Sequence, residues 1–325
     1  MLTELKRRRP WLGAKASDVV VVGIAKNEAD YLLEWIAYHR LIGVDHFVIY
    51  DNDSTDGSAA MLSALARHGI VTVVPWPSVD EYAGFAGQRI GPQIPAYSHG
   101  LDHVRAAKRW RWVGVLDLDE FVIIEPAQTL SDFLKPYATQ GAVGLNWRMF
   151  GSSHLQARRP GLMIKNLTWR ASDDFTVHRH VKSFALIEAV KQLGIHIPEM
   201  LPGYELVDTS GERIDPVAGG LHDRIVFGGA WINHYFTKTV AEAESKRLRG
   251  KADYHPSDPA RIRRPDEFTW SDRNEVQDLT ILRWEAALGR ELSYLALLTR
   301  WKVSARLPGL GRAARLLARL GSRLR

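Results

Sequence analysis

Three carboxylates, Asp117, Asp119 and Glu120, close the apolar run "WVGVLDLDEFVII" (Trp112–Ile124). An apolar, β-branched run reads as a buried strand, and side chains two apart on a strand point to one side. Asp117 and Asp119 would then share a face and repel, which raises the pKa of one of them. A hard divalent cation removes that cost. Mg²⁺ or Mn²⁺ takes one or two carboxylates and fills its shell with water and phosphate oxygens. The plain alternative is pairing with nearby Arg or Lys. Glu120 would point the other way and meet a base in the body of the fold.

Three further stretches carry polar groups that could meet a ligand. Lys26, Asn27 and Glu28 come after "VVVVGIA", without the glycines of a dinucleotide turn or a P-loop. "YDNDSTDGS" holds Asp51, Asp53 and Asp56, more carboxylates than one helix cap needs. One of them could accept hydrogen bonds from a ribose or a base. "INHYFTKTVAEAESKRLRGKAD" offers His234 as a neutral imidazole ligand, with Lys238, Lys246, Arg249 and Lys251 as donors to phosphate. A capped helix with a solvated basic face is the simpler reading of that stretch. "VHRHVKS" sets His178, His180 and Lys182 on one face of an expected strand. Lys182 could touch a phosphate there. A zinc site would need more ligands than the sequence assigns.

The elements that must position these groups alternate over the first 130 residues. Strands are expected at Val19–Ile24, His46–Asp51, Ile70–Trp76 and Trp112–Leu118, and helices at Tyr31–Gly43, Ser58–His68 and within Ile90–Arg109. Strand–helix alternation with short connections argues for a parallel, doubly wound sheet. Its ligands bind beyond the carboxyl ends of the strands, where the polar stretches fall. Later, Asp174–Ile187 and Ala230–Phe236 read as strands and Thr239–Gly250 as a helix.

Composition sets the outer bounds. The chain has 325 residues, 46% hydrophobic and 25% charged, and no cysteine, so disulfides and thiolate metal sites are excluded. Its longest apolar runs fall far short of a membrane span, and no signal peptide is expected. The net charge of +6 comes from the ends: residues 1–15 carry five Lys/Arg and one acid, and residues 300–325 eight Lys/Arg and no acid. A nucleic-acid groove would put that charge in the body of the fold, so no nucleic acid is expected as a partner. Leu307–Arg325 can form a basic amphipathic helix, either solvated or drawn to an anionic membrane surface.

Together "KNE", "DNDSTDGS", "DLDEF", "NWRMFGSS", "HVKS" and "NHYFTKT…KRLRG", in this order over residues 18–252, resemble the family 2-like glycosyltransferases of the GT-A fold. More narrowly they resemble the group related to family 92. The resemblance implies an α/β, Rossmann-like mixed sheet flanked by helices. It divides the chain into a basic segment 1–15, a transferase domain 16–255, a helical extension 256–304 and a basic tail 305–325. It implies a UDP- or GDP-linked sugar donor and a glycan or lipid-linked acceptor, in cell-surface polysaccharide synthesis. The place of action would be the cytoplasm, or peripherally the inner face of the membrane.

In that reading Lys26, Glu28, Asp53 and Asp117 hold the nucleotide, and Lys182, Lys238, Lys246 and Arg249 its phosphates. Asp119 and His234, with Asp117, bind Mn²⁺ or Mg²⁺. Trp147 and Phe150 offer faces to a sugar ring. The late Glu-Asp pair that commonly supplies the base is missing, which leaves Asp173 or Asp174 of "ASDDF" as the candidate in an inverting transfer. Two other classes stand beside it. A non-catalytic membrane or polyanion binder explains the ends but not the converging acids. A haloacid dehalogenase-type phosphatase shares Asp-x-Asp, but there Gly-Thr or Gly-Val normally comes next, where this chain has Glu120 and Phe121.

Overall fold

The computed structural model describes residues 17–85, 87–125, 129–215 and 219–300. The basic segment 1–15 and the tail 305–325, with its expected amphipathic helix, lie outside the described residues.

Four valines and no charge make β1 (Val19–Ala25) a central strand buried on both faces. β2 (His46–Asp51) and then β3 (Val71–Pro75) run parallel on one side of it, and β4 (Trp112–Val115) on the other. Three helices make the crossovers: α1 (Leu32–Leu41), α2 (Ser58–Arg67) and α3 (Gln93–Ala107). The remaining strands of the path are β5 (Glu120–Ile124), β6 (Gly141–Met149), β7 (Val181–Leu186) and β8 (Ala230–His234). Among the described residues the sheet reads β3-β2-β1-β4-β7-β6-β8-β5, with a short strand at Glu205–Val207 beside the start of β6. It is a mixed sheet flanked by helices, the arrangement the resemblance implies.

The first four strands are parallel as expected, and beyond β4 the sheet is mixed: β7 enters antiparallel between β4 and β6, and β5 closes the far edge antiparallel to β8. One expectation is corrected. β4 itself ends at Val115, not Leu118. Leu116 still donates to the Val22 carbonyl at 3.2 Å, and then Glu120 donates to the carbonyl of Asp117 at 3.1 Å and the chain turns. Asp117 and Asp119 therefore sit on a turn between two strands, not on one strand. The turn crosses β1 at Gly23, where a Cβ would lie 2.9 Å from the Leu116 carbonyl.

The expected strand Asp174–Ile187 is likewise shorter. Thr176–Arg179 is a 3-10 turn and only Val181–Leu186 is extended. Phe175 donates to the Ser172 carbonyl, and the Ser172 hydroxyl bonds the Asp174 carboxylate at 2.5 Å, which bends the chain before it can join the sheet. His178 and His180 consequently part company. His178 is buried against Phe175 and Phe227, while His180 stacks on Trp147.

α1 is buried along its whole length, so its polar groups need internal partners. Glu34 accepts from the backbone N–H of Met163 and Ile164 at 2.8 and 3.1 Å. Arg40 bonds Glu291 at 2.6 Å with both side chains sealed from solvent. After β8 comes α4 (Val240–Arg249), opened by a Thr239–Glu242 capping box and closed at Gly250. Glu291 lies on α5 (Glu285–Thr299). No helix among the described residues is long and apolar enough to cross a membrane.

Candidate functional site

The turn after β4 gathers charge from four parts of the chain. Asp117 accepts from Lys182 Nζ at 3.1 Å and from Gln93 Nε2 at 3.3 Å. Glu120 is buried, accepts from the backbone N–H of Asp117 at 2.8 Å and lies 3.5 Å from the same Lys182. Asp119 accepts from Lys246 Nζ of α4 at 2.5 Å and stands 3.5 Å from His234 Nε2 at the end of β8. Glu28, in the loop after β1, meets Lys238 at 3.0 Å and Arg249 at 2.9 Å. The positive partners that the clustered acids require are thus lysines, 65 residues away in sequence for Asp117 and 127 for Asp119.

Electrostatics reflect this pairing. Burial opposes ionisation of Asp119, but Lys246, His234 and Lys238 outweigh it and hold the carboxyl well below its usual range. Burial likewise opposes ionisation of Asp117, yet Lys182 wins and lowers its pKa. Glu120 goes the other way: burial, with Asp117 and Asp119 nearby, pushes it well above the usual value despite Lys182. Burial pulls both His234 and Lys246 down, against the attraction of Asp119. The imidazole of His234 is therefore neutral near pH 7 and able to act as a ligand.

Two of the loops lock each other. Asn27 donates to Ser54 Oγ at 3.0 Å and its side chain accepts from Thr55 N–H at 2.7 Å. Glu28 donates to Ser58 Oγ and Ala29 to Asp56. Asn27, Asp53 and Lys238 all adopt left-handed backbone, with φ of 57, 55 and 53°. Non-glycine residues are uncommon there, and such strain gathers at ligand sites. Asp53 is exposed and among the described residues accepts a single long bond, from Ser78 N–H at 3.3 Å.

Among the expected site residues the structure brings together Glu28, Asp117, Asp119, Lys182, His234, Lys238, Lys246 and Arg249. Lys26 meets Arg249 through its carbonyl. Lys182 is fully buried and spent on two carboxylates, so it reaches a ligand only through Asp117. Phe150 is also fully buried, against Tyr235, and its ring is core, not an open face. Asp173 pairs with Arg170 and Asp174 with Ser172. Arg170 and Arg148 share Asp278, and Arg148 projects from the face of β6 opposite to Trp147. Asp173 therefore belongs to the side of the sheet away from Trp147.

Trp147 is ringed by His180 at 4.7 Å, His196 at 5.3 Å and His234 at 4.3 Å between centroids. His196 and Gln93 carry no signal in the sequence. Each stands alone in an ordinary stretch, "LGIHIPE" and "GPQIPA", and only the fold brings them here.

Among the described residues no group of three or more His, Asp or Glu is arranged to hold a metal ion. A smaller donor set is present. Two ligands each about 2 Å from one cation at right angles stand about 3 Å apart, and Asp119 and His234 are close to that spacing at 3.5 Å. A carboxylate and an imidazole suit Mn²⁺ or Mg²⁺ when the other ligands come from a substrate diphosphate and water.

Sheet order and a charged site beyond the strand ends define a GT-A-type α/β protein. The profile of glycosyltransferase family 92 matches residues 20–215, and the chain belongs to that family. A glycosyltransferase family 92 protein of Oryza sativa subsp. japonica is 35% identical over 133 residues, 40% of this chain and 20% of the relative. One of Ricinus communis is 31% identical over 132 residues, 40% of this chain and 21% of the relative. The match thus spans about a fifth of the length of these relatives. Similar solved structures include S. aureus TarS 1-349 in complex with UDP, at 13% identity and TM-score 0.32, covering 53% of this chain and 47% of that one. Another is glucosyl-3-phosphoglycerate synthase from Mycobacterium tuberculosis with Mn²⁺, UDP and glucosyl-3-phosphoglycerate, at 17% identity and TM-score 0.31, covering 67% and 76%.

Proposed function

We propose that the protein transfers a sugar from a nucleoside-diphosphate donor to a hydroxyl group of a glycan or lipid-linked acceptor. The observation that carries this reading is the charge-paired cluster of Glu28 and Asp119 with Lys238, Lys246 and Arg249, beside Asp117 held by Lys182. It lies where open α/β sheets bind ligands, in a chain of a transferase family.

In this reading Asp53 and Glu28 orient the base and ribose. Lys238, Lys246 and Arg249 exchange carboxylate partners for the diphosphate oxygens, as charge-assisted donors. Lys182 keeps Asp117 ionised and fixed. Trp147 is buried and stacked on His180, so it backs the sugar end of the site and offers no open face to the sugar. Asp119 and His234 would hold a divalent cation, which when bound supplies Lewis-acid neutralisation of the departing diphosphate. The acceptor belongs to cell-surface polysaccharide synthesis, and the basic tail, outside the described residues, would draw the protein to an anionic membrane.

Calorimetry with UDP and GDP, with and without Mn²⁺, tests the reading. Binding of one diphosphate that requires Mn²⁺, and its loss in Asp119→Ala with the fold intact, is the expected result. Equal affinity in the variant would remove Asp119 from the site, and no binding of either nucleotide by the wild type would defeat the transferase reading.

A further inference from the structure

We propose that His196 is the base that takes the proton from the attacking hydroxyl. The inference rests on the transferase reading and supplies the residue that one of its steps lacks.

Sheet order sets the direction in which a donor lies. The loops after β1 and β2, with Glu28 and Asp53, stand on one side of the 116–119 turn. The start of β7 and the end of β6 stand on the other, since β7 runs antiparallel to β4 and β6 antiparallel to β7. Asp119 itself meets His234 at the end of β8, so a nucleotide over β1 and β2 whose diphosphate reaches Asp119 passes the ends of β7 and β6, with its sugar beside them. Trp147, His180 and His196 occupy that end.

Carboxylates near the turn are committed elsewhere. Both oxygens of Asp117 accept side-chain bonds, Asp119 is held by Lys246 beside His234, and Glu120 is sealed in the fold. Asp173 and Asp174 belong with Arg170 and Ser172.

His196 is built to face the sugar end in one tautomer. Its Nδ1 lies 3.0 Å from the Val181 carbonyl, and that acceptor requires Nδ1 to carry the proton. Nε2 is left with a free lone pair and bonds no group among the described residues. Ser183 Oγ donates to the His196 carbonyl at 2.8 Å, which pins the backbone. Gly220 makes room for the residue, because a Cβ there would fall 2.2 Å from Cβ of His196. The residue keeps partial exposure, while burial of the ring, aided by Lys182 and opposed by Asp117, pushes its pKa down to about 3, so Nε2 stays unprotonated and able to accept at neutral pH.

The step balances without a further reagent. The acceptor oxygen forms its bond to the anomeric carbon as the bond from that carbon to the diphosphate oxygen breaks. The electron pair leaves with the nucleoside diphosphate. The hydroxyl proton passes to Nε2, and the imidazolium then returns it to water. Water in place of the acceptor gives donor hydrolysis by the same route.

His196→Ala and His196→Gln, with Asp253→Asn as a comparison, test the assignment. Asp253 is the exposed carboxylate after α4 that feels Asp117. The readouts are UDP release from a panel of UDP-sugars and UDP binding by calorimetry. The expected result is a fall in release of about 100-fold or more for both His196 variants, the range for loss of a general base. UDP affinity should stay within about twofold, and added imidazole should restore part of the rate of His196→Ala. Release within about threefold of wild type would overturn the proposal. So would loss of UDP binding together with release and no rescue, which would mark His196 as structural. Abolition by Asp253→Asn alone would give the role to that residue. A wild type that binds neither UDP nor GDP would overturn the transferase reading itself, and one that binds only GDP moves the same test to GDP-sugars.

Discussion

Lys182 is a charged side chain with no exposure to water. Its ammonium is fully buried and serves Asp117 and Glu120 together. Burial alone would strip its charge, yet the two carboxylates raise its pKa above the usual value. Removing one partner of a buried pair leaves an uncompensated charge and costs about 3–5 kcal/mol. Lys182→Met should therefore lower the unfolding free energy, read from denaturant titration, by that amount. A loss below about 1 kcal/mol would mean that the acids simply take up protons. The pairing is illegible in sequence for a definite reason. Asp117, Asp119 and Glu120 advertise a need for positive charge, but a divalent ion and a lysine satisfy that need equally well on paper. Lys182 and Lys246 lie 65 and 127 residues from their partners, beyond any local pattern.

Elements are legible where local chemistry rules. α4 has a Thr-x-x-Glu start and a glycine stop, and the structure puts it at Val240–Arg249 with both box hydrogen bonds made. The strand at His46–Asp51 is likewise where its apolar run puts it. β4 reads too long in sequence because Leu116 and Leu118 are as apolar as a strand residue, and both are buried for tertiary reasons. Nothing local says that the chain must turn over Gly23. The cap of α4 bears on the site because this helix carries Lys246 and Arg249. Thr239→Ala removes a cap worth about 1 kcal/mol. Hydrogen exchange should speed up roughly fivefold in the first turn of α4, and diphosphate affinity should fall with it. Unchanged exchange there would show that packing, not the cap, holds the helix.

At the scale of the whole molecule, two buried histidines make the fold sensitive to acid. Burial drives the pKa of His39 down to about 3 and that of His178 to about 4. Each also accepts a backbone N–H on Nε2, from Val122 at 3.4 Å and from Met149 at 3.0 Å, which a protonated ring cannot do. The unfolded chain binds these protons at about 6.5, so stability is complete above that pH and falls as pH drops toward 4. Each histidine contributes a slope of about 1.4 kcal/mol per pH unit in that window. Glu34 acts oppositely: burial raises it to about 7, and its share of stability falls as pH rises from about 4.5 to 7. Denaturant titrations from about pH 7 to 4.5 should show the acid loss, and His178→Gln should flatten it by about one proton. An unchanged slope in that variant would acquit His178.

The sealed ion pair between Arg40 and Glu291 reaches further than the helices it joins. The family profile stops at residue 215, and α5 begins 70 residues later. A chain cut at the end of the profile would keep every strand of the main sheet but β8, yet uncover the outer side of α1 and strand a guanidinium in it. The smallest piece worth expressing is therefore set by one arginine in the first helix, and it runs to residue 299.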